Sequence, residues 1–152
     1  MRRQAREVVY KTLYSELFND EKSNLIDELI KEENLNESDT AFCKKLYETI
    51  DKNREEIDGI ISELAKNYRL ERIFSTDRCA LYIGICEMKF FDDVPNIVAI
   101  DEALSLCRVY STAESLAFVN GIFDLTAVIY YLSVIFLMNF LTVQSVEKRR
   151  WS

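Results

Sequence analysis

An all-α bundle of six to seven helices around one core is the fold the sequence predicts, and three observations predict it. Apolar residues recur at helical spacing along most of the chain, and no stretch keeps the alternation of a half-buried strand. Three glycines and one proline in 152 residues leave too little turn chemistry for a many-stranded sandwich or barrel. A composition of 49% hydrophobic and 30% charged residues suits a compact domain and lies far from that of a disordered chain.

Ala5, Val9, Leu13 and Leu17 fall on one helical row, with Val8 and Tyr14 widening the stripe, so residues 3–18 read as an amphipathic helix. Asn19 to Asp39 is acidic and reads as the main loop, holding a short helical piece around Leu25–Ile30. Phe42, Leu46 and Ile50 mark the next helix. Ile57, Ile61, Leu64 and Tyr68 mark another, with weak punctuation near Lys52. Ser75–Phe90 is apolar around much of its circumference, which predicts a central, buried helix. Pro95 fits the first turn of a helix whose face carries Ala99, Ala103, Leu106 and Tyr110. Ser111 and Glu114 then have capping-box spacing, and the helix that follows aligns Phe118, Ile122 and Leu125. From Leu125 to Val143 the chain runs 19 residues without a charge.

Lysine and arginine total 19 against 26 acids, a formal charge of −7, which argues against a surface coated all over for nucleic acid. The charge is uneven. Arg2, Arg3, Arg6 and Lys11 outweigh Glu7 and Glu16 in residues 1–18, whereas eight acids face Lys22 and Lys31 in residues 19–39. A compact basic arm on an acidic body either grips a phosphate backbone at one place or is a solvated helix face.

Catalysis finds no foothold in the sequence. Without histidine no Ser-His or Cys-His pair forms, and the three glycines are single, so no phosphate-cradling loop is encoded. Acid pairs such as Glu55-Glu56, Asp92-Asp93 and Asp101-Glu102 point about 100° apart on a helix, as solvated faces do. Cys43, Cys79, Cys86 and Cys107 form no C-x-x-C pair and read as small core residues. Charged residues rather than an apolar run follow Met1, which fits a reducing cytoplasm. The expectation is a binding protein, without catalysis, metal or cofactor.

Several stretches, in order, resemble the NusB family of transcription antitermination proteins. They are Arg2-Arg-Gln-Ala-Arg-Glu7 with Leu13-Tyr14, then Leu70-Glu71-Arg72 with Asp77-Arg78 and Glu87. Val98-Ala-Ile-Asp-Glu-Ala103 and Phe118-Val-Asn-Gly-Ile-Phe-Asp124 complete the series over residues 2 to 124. The resemblance implies an all-helical factor that pairs with NusE, a small-subunit ribosomal protein. The pair binds boxA-type single-stranded RNA and joins the RNA polymerase antitermination complex during ribosomal RNA transcription. Arg2, Arg3, Gln4 and Arg6 then occupy the family's basic motif, where a third arginine is common and Gln4 stands here instead. Fewer arginines imply weaker and less salt-dependent RNA binding. Phe118 is either a base-stacking ring or part of the core stripe with Ile122. Asn120 either bonds RNA or supports the helix, and Glu114 is either a cap or a neighbour of the RNA surface. Tyr14 and Asp77, with Glu71 as a third, match positions of partner contact, although Tyr14 also suits the core beside Val9 and Leu17. The family usually has Ser-Pro where Phe74 and Ser75 stand, so the central helix is expected to be capped one residue later, which bears on how Asp77 is aimed.

Two other classes share this resemblance. One is a protein–protein scaffold of the same fold without RNA binding, and the other is a regulatory domain like the NusB-like part of ribosomal RNA cytosine methyltransferases. The sequence divides into a helical RNA-binding domain, 1–124, and an atypical hydrophobic C-terminal tail, 125–152. For the tail three readings stand open: a membrane anchor, an extra helix packed on the bundle or a partner, and a terminus altered by a frameshift. Nineteen helical residues span about 28 Å, near a bilayer's hydrocarbon thickness. Lys148, Arg149 and Arg150 beyond the run argue against the anchor through the positive-inside tendency, and Ser133, Asn139 and Thr142 interrupt its apolarity.

Overall fold

The computed structural model describes residues 2–19, 24–65 and 72–150, apart from the side chains of 130 and 146–150. Among the described residues the chain forms seven helices: α1 (Arg2–Phe18), α2 (Leu25–Glu32), α3 (Glu37–Lys52), α4 (Arg54–Leu64), α5 (Ser75–Phe90), α6 (Asn96–Tyr110) and α7 (Ala113–Arg150). The sequence-predicted all-α bundle is the observed fold.

α5 is the axis of the bundle. Every residue from Cys79 to Met88 is buried, because α1, α3, α4, α6 and α7 surround the helix. Such a helix has no solvated face, so its sequence is apolar in all directions. The cysteines are part of this packing, and burial pushes the Cys79, Cys86 and Cys107 thiols up to about 12. They stay protonated and inert at neutral pH. Gly84 lets two helices close on α5: a methyl there would collide with the edge of the buried Phe123 ring and approach Ala103 Cβ to 3.2 Å.

Local signals set most boundaries. Asn34 adopts the left-handed region at φ 53°, and Leu35 N–H returns to the Ile30 carbonyl at 3.2 Å, closing α2 as a glycine cap would. The Asn36 side chain accepts from Asp39 N–H at 2.8 Å, so the acidic stretch already contains the first turn of α3. A single residue, Asn53, separates α3 from α4.

Two caps differ from expectation. The α7 N-cap is Thr112, whose Oγ1 accepts from Ser115 N–H at 3.2 Å, while the Ser111 hydroxyl donates to Asp77 Oδ1 at 2.6 Å. Ser111 is drawn off because a buried carboxylate needs a donor more than the helix end does. At α5 the later cap does not form: Phe74 occupies the N-cap with no side-chain oxygen to offer, and the helix starts at Ser75.

Contacts fix the directions of the helices. Arg6 on α1 meets Glu87 near the end of α5, whereas the Tyr10 hydroxyl donates to the Thr76 carbonyl at its start, 2.9 Å away, so α1 and α5 are antiparallel. Phe118 shares a cavity with Asp77 and Phe123 lies on Gly84, so α7 runs in the same sense as α5. α7 passes through residue 124 without a break, and its 38 residues extend about 57 Å. The core stripe ends at Phe123. Leu125, expected in line with Phe118 and Ile122, is exposed, and so are Val128, Ile129 and residues 131–143, with no bundle face to cover them. The tail is therefore not a helix packed on this bundle.

The deepest polar contact joins α1 to α5. Arg6 Nε lies 2.8 and 3.1 Å from the two Glu87 oxygens, with the residues 4% and 0% exposed. Burial pushes the Glu87 carboxyl above the usual carboxylate range, and the Arg6 guanidinium opposes that rise.

Two stability outcomes follow from this packing. Gly84→Ala is expected to cost about 1–3 kcal/mol in urea unfolding, despite alanine's better helix propensity, because the buried ring has nowhere to go. Arg6→Ala is expected to cost about 3–5 kcal/mol at neutral pH, because it strands a buried carboxylate. With its folded pKa raised further, Glu87 in that variant binds its proton more tightly folded than unfolded. The variant should therefore be most stable below the ordinary carboxylate range and lose stability as pH rises through the folded pKa. Unfolding midpoints measured from mildly acidic to mildly alkaline buffer check the sign.

Candidate nucleic-acid and partner interface

The sequence-predicted residues gather at two ends of the bundle. At the first, the N-terminus of α1 carries Arg2, Arg3 and Gln4 to the surface. Arg2 Nη2 lies 3.3 Å from Asp93 Oδ2, and its guanidinium sits 4.6 Å over the Phe42 ring. Arg3 Nε lies 3.2 Å from Glu102 Oε2. Exposed pairs of this kind contribute little stability, so both guanidinium groups can exchange a surface carboxylate for a phosphate. Arg6 differs from its neighbours. It is spent beneath the surface on Glu87, with Glu102 at 3.8 Å, and it anchors the arm instead of presenting a charge. A cavity of about 100 Å³ lies beside it, lined in part by Arg3, Glu7 and Tyr110.

At the second end, a cavity of about 180 Å³ opens between the start of α5 and the start of α7. Arg72, Phe74, Asp77, Thr112, Glu114 and Phe118 are among its lining residues. Phe118 is half-buried with its ring on this cavity, so one side chain serves both the core edge and the surface. Phe74 stands at the rim, 69% exposed. Asp77 lies at the floor, 2% exposed, held by the Ser111 hydroxyl. It shapes the cavity and offers little face to a partner. Glu114 is exposed at the rim and makes no reciprocal cap with Ser111.

Tyr14 is 40% exposed and rests against Phe18, the ring centroids 5.0 Å apart. That places it outside the core formed by Val9 and Leu13. Two exposed rings on the last turns of α1 make a small aromatic surface with a phenol tip, as protein interfaces favour. Tyr14 lies one turn beyond Tyr10, which reaches Thr76, so it belongs to the same end as Asp77. Asn120 is exposed on α7, flanking the face buried by Val119 and Phe123. Glu71 lies outside the described residues.

The structure thus unites Tyr14, Asp77 and Phe118 at one end and Arg2, Arg3, Gln4 and Arg6 at the other. From Asp77 to Glu87 along α5 is about 15 Å. Sequence reasoning missed Glu87 and Glu102 as the partners that orient the arginines, and Arg72 and Phe74 as cavity walls. Glu87 carried a usable signal: an acid inside a helix with no solvated face requires a buried cation. Phe74 carried another, as an aromatic where the resembled family usually has serine.

Comparison with known proteins places this geometry. The NusB family model matches residues 2–127. The transcription antitermination protein NusB of Acetivibrio thermocellus is 38% identical over 122 residues, covering 80% of this chain and 84% of the relative. Among solved structures, T. maritima NusB superposes with a TM-score of 0.78 at 30% identity, covering 84% of this chain and 90% of that one. A chain of the crystal structure of antitermination factors NusB and NusE in complex with dsRNA gives a TM-score of 0.74 at 28% identity, covering 82% of this chain and 94% of that one. With the matched region taking in every helix of the bundle and both ends of the candidate interface, the chain belongs to the NusB family.

Proposed function

We propose that this chain is a transcription antitermination factor that binds boxA-type single-stranded RNA together with NusE. It acts in the cytoplasm on RNA polymerase during ribosomal RNA transcription, by binding and not by catalysis. The observation that carries the reading is the exposed Arg2–Arg3 arm, fixed from beneath by Arg6 and Glu87 and balanced, among the described residues, by the exposed Asp93 and the partly buried Glu102. The solved assembly of NusB and NusE with RNA supports the pairing of partners.

In this reading Arg2 and Arg3 neutralise phosphates, Gln4 adds a neutral hydrogen-bonding group, and Phe118 stacks a base at the cavity mouth. Asn120 offers its amide on the same helix. Arg6 serves RNA indirectly, by holding the arm. Tyr14 with Phe18 forms the NusE face, supported from the cavity floor by the buried Asp77, with Glu71 as a third residue. Residues 1–124 form the working domain, and 125–152 are an appendage to it. The alternative is a scaffold of the same fold without RNA binding, which the carboxylates already beside Arg2 and Arg3 favour.

Titration of boxA-type single-stranded RNA and of a duplex, each with and without NusE, tests the proposal. Tight binding of the single strand that requires NusE is the expected result, and no NusE-dependent affinity would leave the scaffold. Replacing Arg2 and Arg3 together by alanine should flatten the dependence of log K on log salt by about 1.4, at about 0.7 per lost phosphate contact. Its unfolding midpoint should hardly move. Phe118→Ala should weaken RNA binding by about 1–3 kcal/mol at unchanged salt slope. Tyr14→Ala should weaken NusE capture by about 1–2 kcal/mol while leaving direct RNA contact intact, as calorimetry with each partner separately would show.

A further inference from the structure

The proposed function makes no use of the second half of α7. From Val128 to Val143 the helix exposes large apolar side chains at most of the described positions, and Val134, Ile135, Phe136, Leu137 and Met138 are all exposed in succession. Five consecutive residues exceed one helical turn, so every azimuth of this segment is apolar. A second copy or a partner helix would cover a stripe and leave the remaining faces in water. A medium that surrounds the helix covers all of them at once.

The dimensions and polar groups agree with that medium being lipid. Leu125 to Val143, 19 residues of an uncharged stretch that continues through Gln144-Ser-Val146, extends about 28 Å against a hydrocarbon core of about 30 Å. Asp124 precedes it, and Glu147 to Arg150 follow. Three of its hydroxyls are satisfied within the helix: Thr126 donates to the Ile122 carbonyl at 2.8 Å, Ser133 to the Ile129 carbonyl at 2.9 Å and Thr142 to the Met138 carbonyl at 2.8 Å. None of the three carries an unmet donor into hydrocarbon, which leaves the Asn139 amide and, nearer the Asp124 end, the phenols of Tyr130 and Tyr131 to be accommodated. The basic residues at 148–150 lie beyond the hydrocarbon and add no solvation cost at the bilayer centre. With the domain in the cytoplasm, however, they stand on the far side, so the positive-inside tendency opposes this orientation and the apolar length has to outweigh it.

From these features we infer that Leu125–Val143 is a bilayer-spanning segment that tethers the RNA-binding domain to a membrane. α7 continues from the domain into this segment with no linker. It leaves on the side toward which α5 runs, the side that carries Arg2 and Arg3. The domain would therefore sit directly on the headgroups, basic arm toward them.

Flotation of the full chain with phosphatidylcholine vesicles containing a minority of phosphatidylglycerol tests this. The chain should float and should stay with the vesicles through high salt and alkaline carbonate. The full chain carrying Leu132→Arg and Phe136→Arg should lose at least ~100-fold in partitioning, because two charges then lie near the bilayer centre. Its far-UV circular dichroism and its boxA RNA affinity should not change, since neither residue touches the domain. Three results would overturn the inference. One is a monomer that stays out of the lipid, and another is a soluble oligomer that does not float, the mark of packing against a second copy. The third is flotation abolished by salt, which would show adsorption through Arg2 and Arg3 alone. RNA binding is read separately, so failure here leaves the antitermination reading standing.

Discussion

One helix buried on every side, α5, governs the rest of this structure. Water reaches none of its residues from Cys79 to Met88, so each polar group it carries must be met from a neighbouring helix. Two carboxylates near its ends impose that requirement. Glu87 is met by Arg6 of α1, and Asp77 by Ser111 at the α6–α7 junction. The first contact fixes the N-terminus of α1, and with it the basic arm. The second draws Ser111 away from capping α7 and sets the floor of the aromatic-walled cavity. Both halves of the candidate interface are thus side effects of satisfying one helix.

Much of this was legible in the sequence, for physical reasons. A helix surrounded by others must be apolar in all directions, and Ser75–Phe90 reads that way before any coordinate is known. α1, α3 and α6 each bury one face, and their stripes at three- and four-residue spacing declare it. The choice between a core and a surface Tyr14 was not legible, because the stripe at this position is wide enough to admit either. Arg6 was misleading for a related reason. Within Arg2-Arg-Gln-Ala-Arg6 the arginines look alike, yet Arg6 falls on the buried row with Ala5 and Val9, and only its partner across the bundle reveals its role. Capping at Thr112 in place of Ser111 depended on a competitor remote in sequence. Local motifs report what a residue can do; the competing acceptor decides what it does.

The split of the interface bears on how a weakly basic member of the family handles RNA. With Arg6 committed to Glu87, two exposed arginines remain on the arm, and both have carboxylates within 3.3 Å. Electrostatic grip is modest by that count, so affinity must come from elsewhere. In the proposed reading, stacking at Phe118, about 15 Å away along α5, would be one source that salt does not screen. A partner protein seated on the Tyr14–Phe18 rings would be another, because it would add contacts that a sparse basic arm lacks. Dependence on NusE therefore fits the charge of this surface as well as the family to which the chain belongs.

The uncharged run changes the meaning of the composition and also of the site. Part of the 49% hydrophobic content lies in a segment that contributes nothing to the core. The domain itself is an ordinary acidic helical bundle. The domain and the segment are nevertheless joined directly, because α7 carries Phe118 and Phe123 in the bundle and Leu125 onward outside it, as one continuous helix. With the run in a bilayer, the arginine end faces the headgroups and the Phe118 cavity faces away. Anionic lipid and RNA phosphate then compete for the same two guanidinium groups, while base stacking and the tyrosine face stay free. A membrane would not simply relocate such a protein; it would shift the balance of its RNA recognition from charge toward stacking and toward its protein partner.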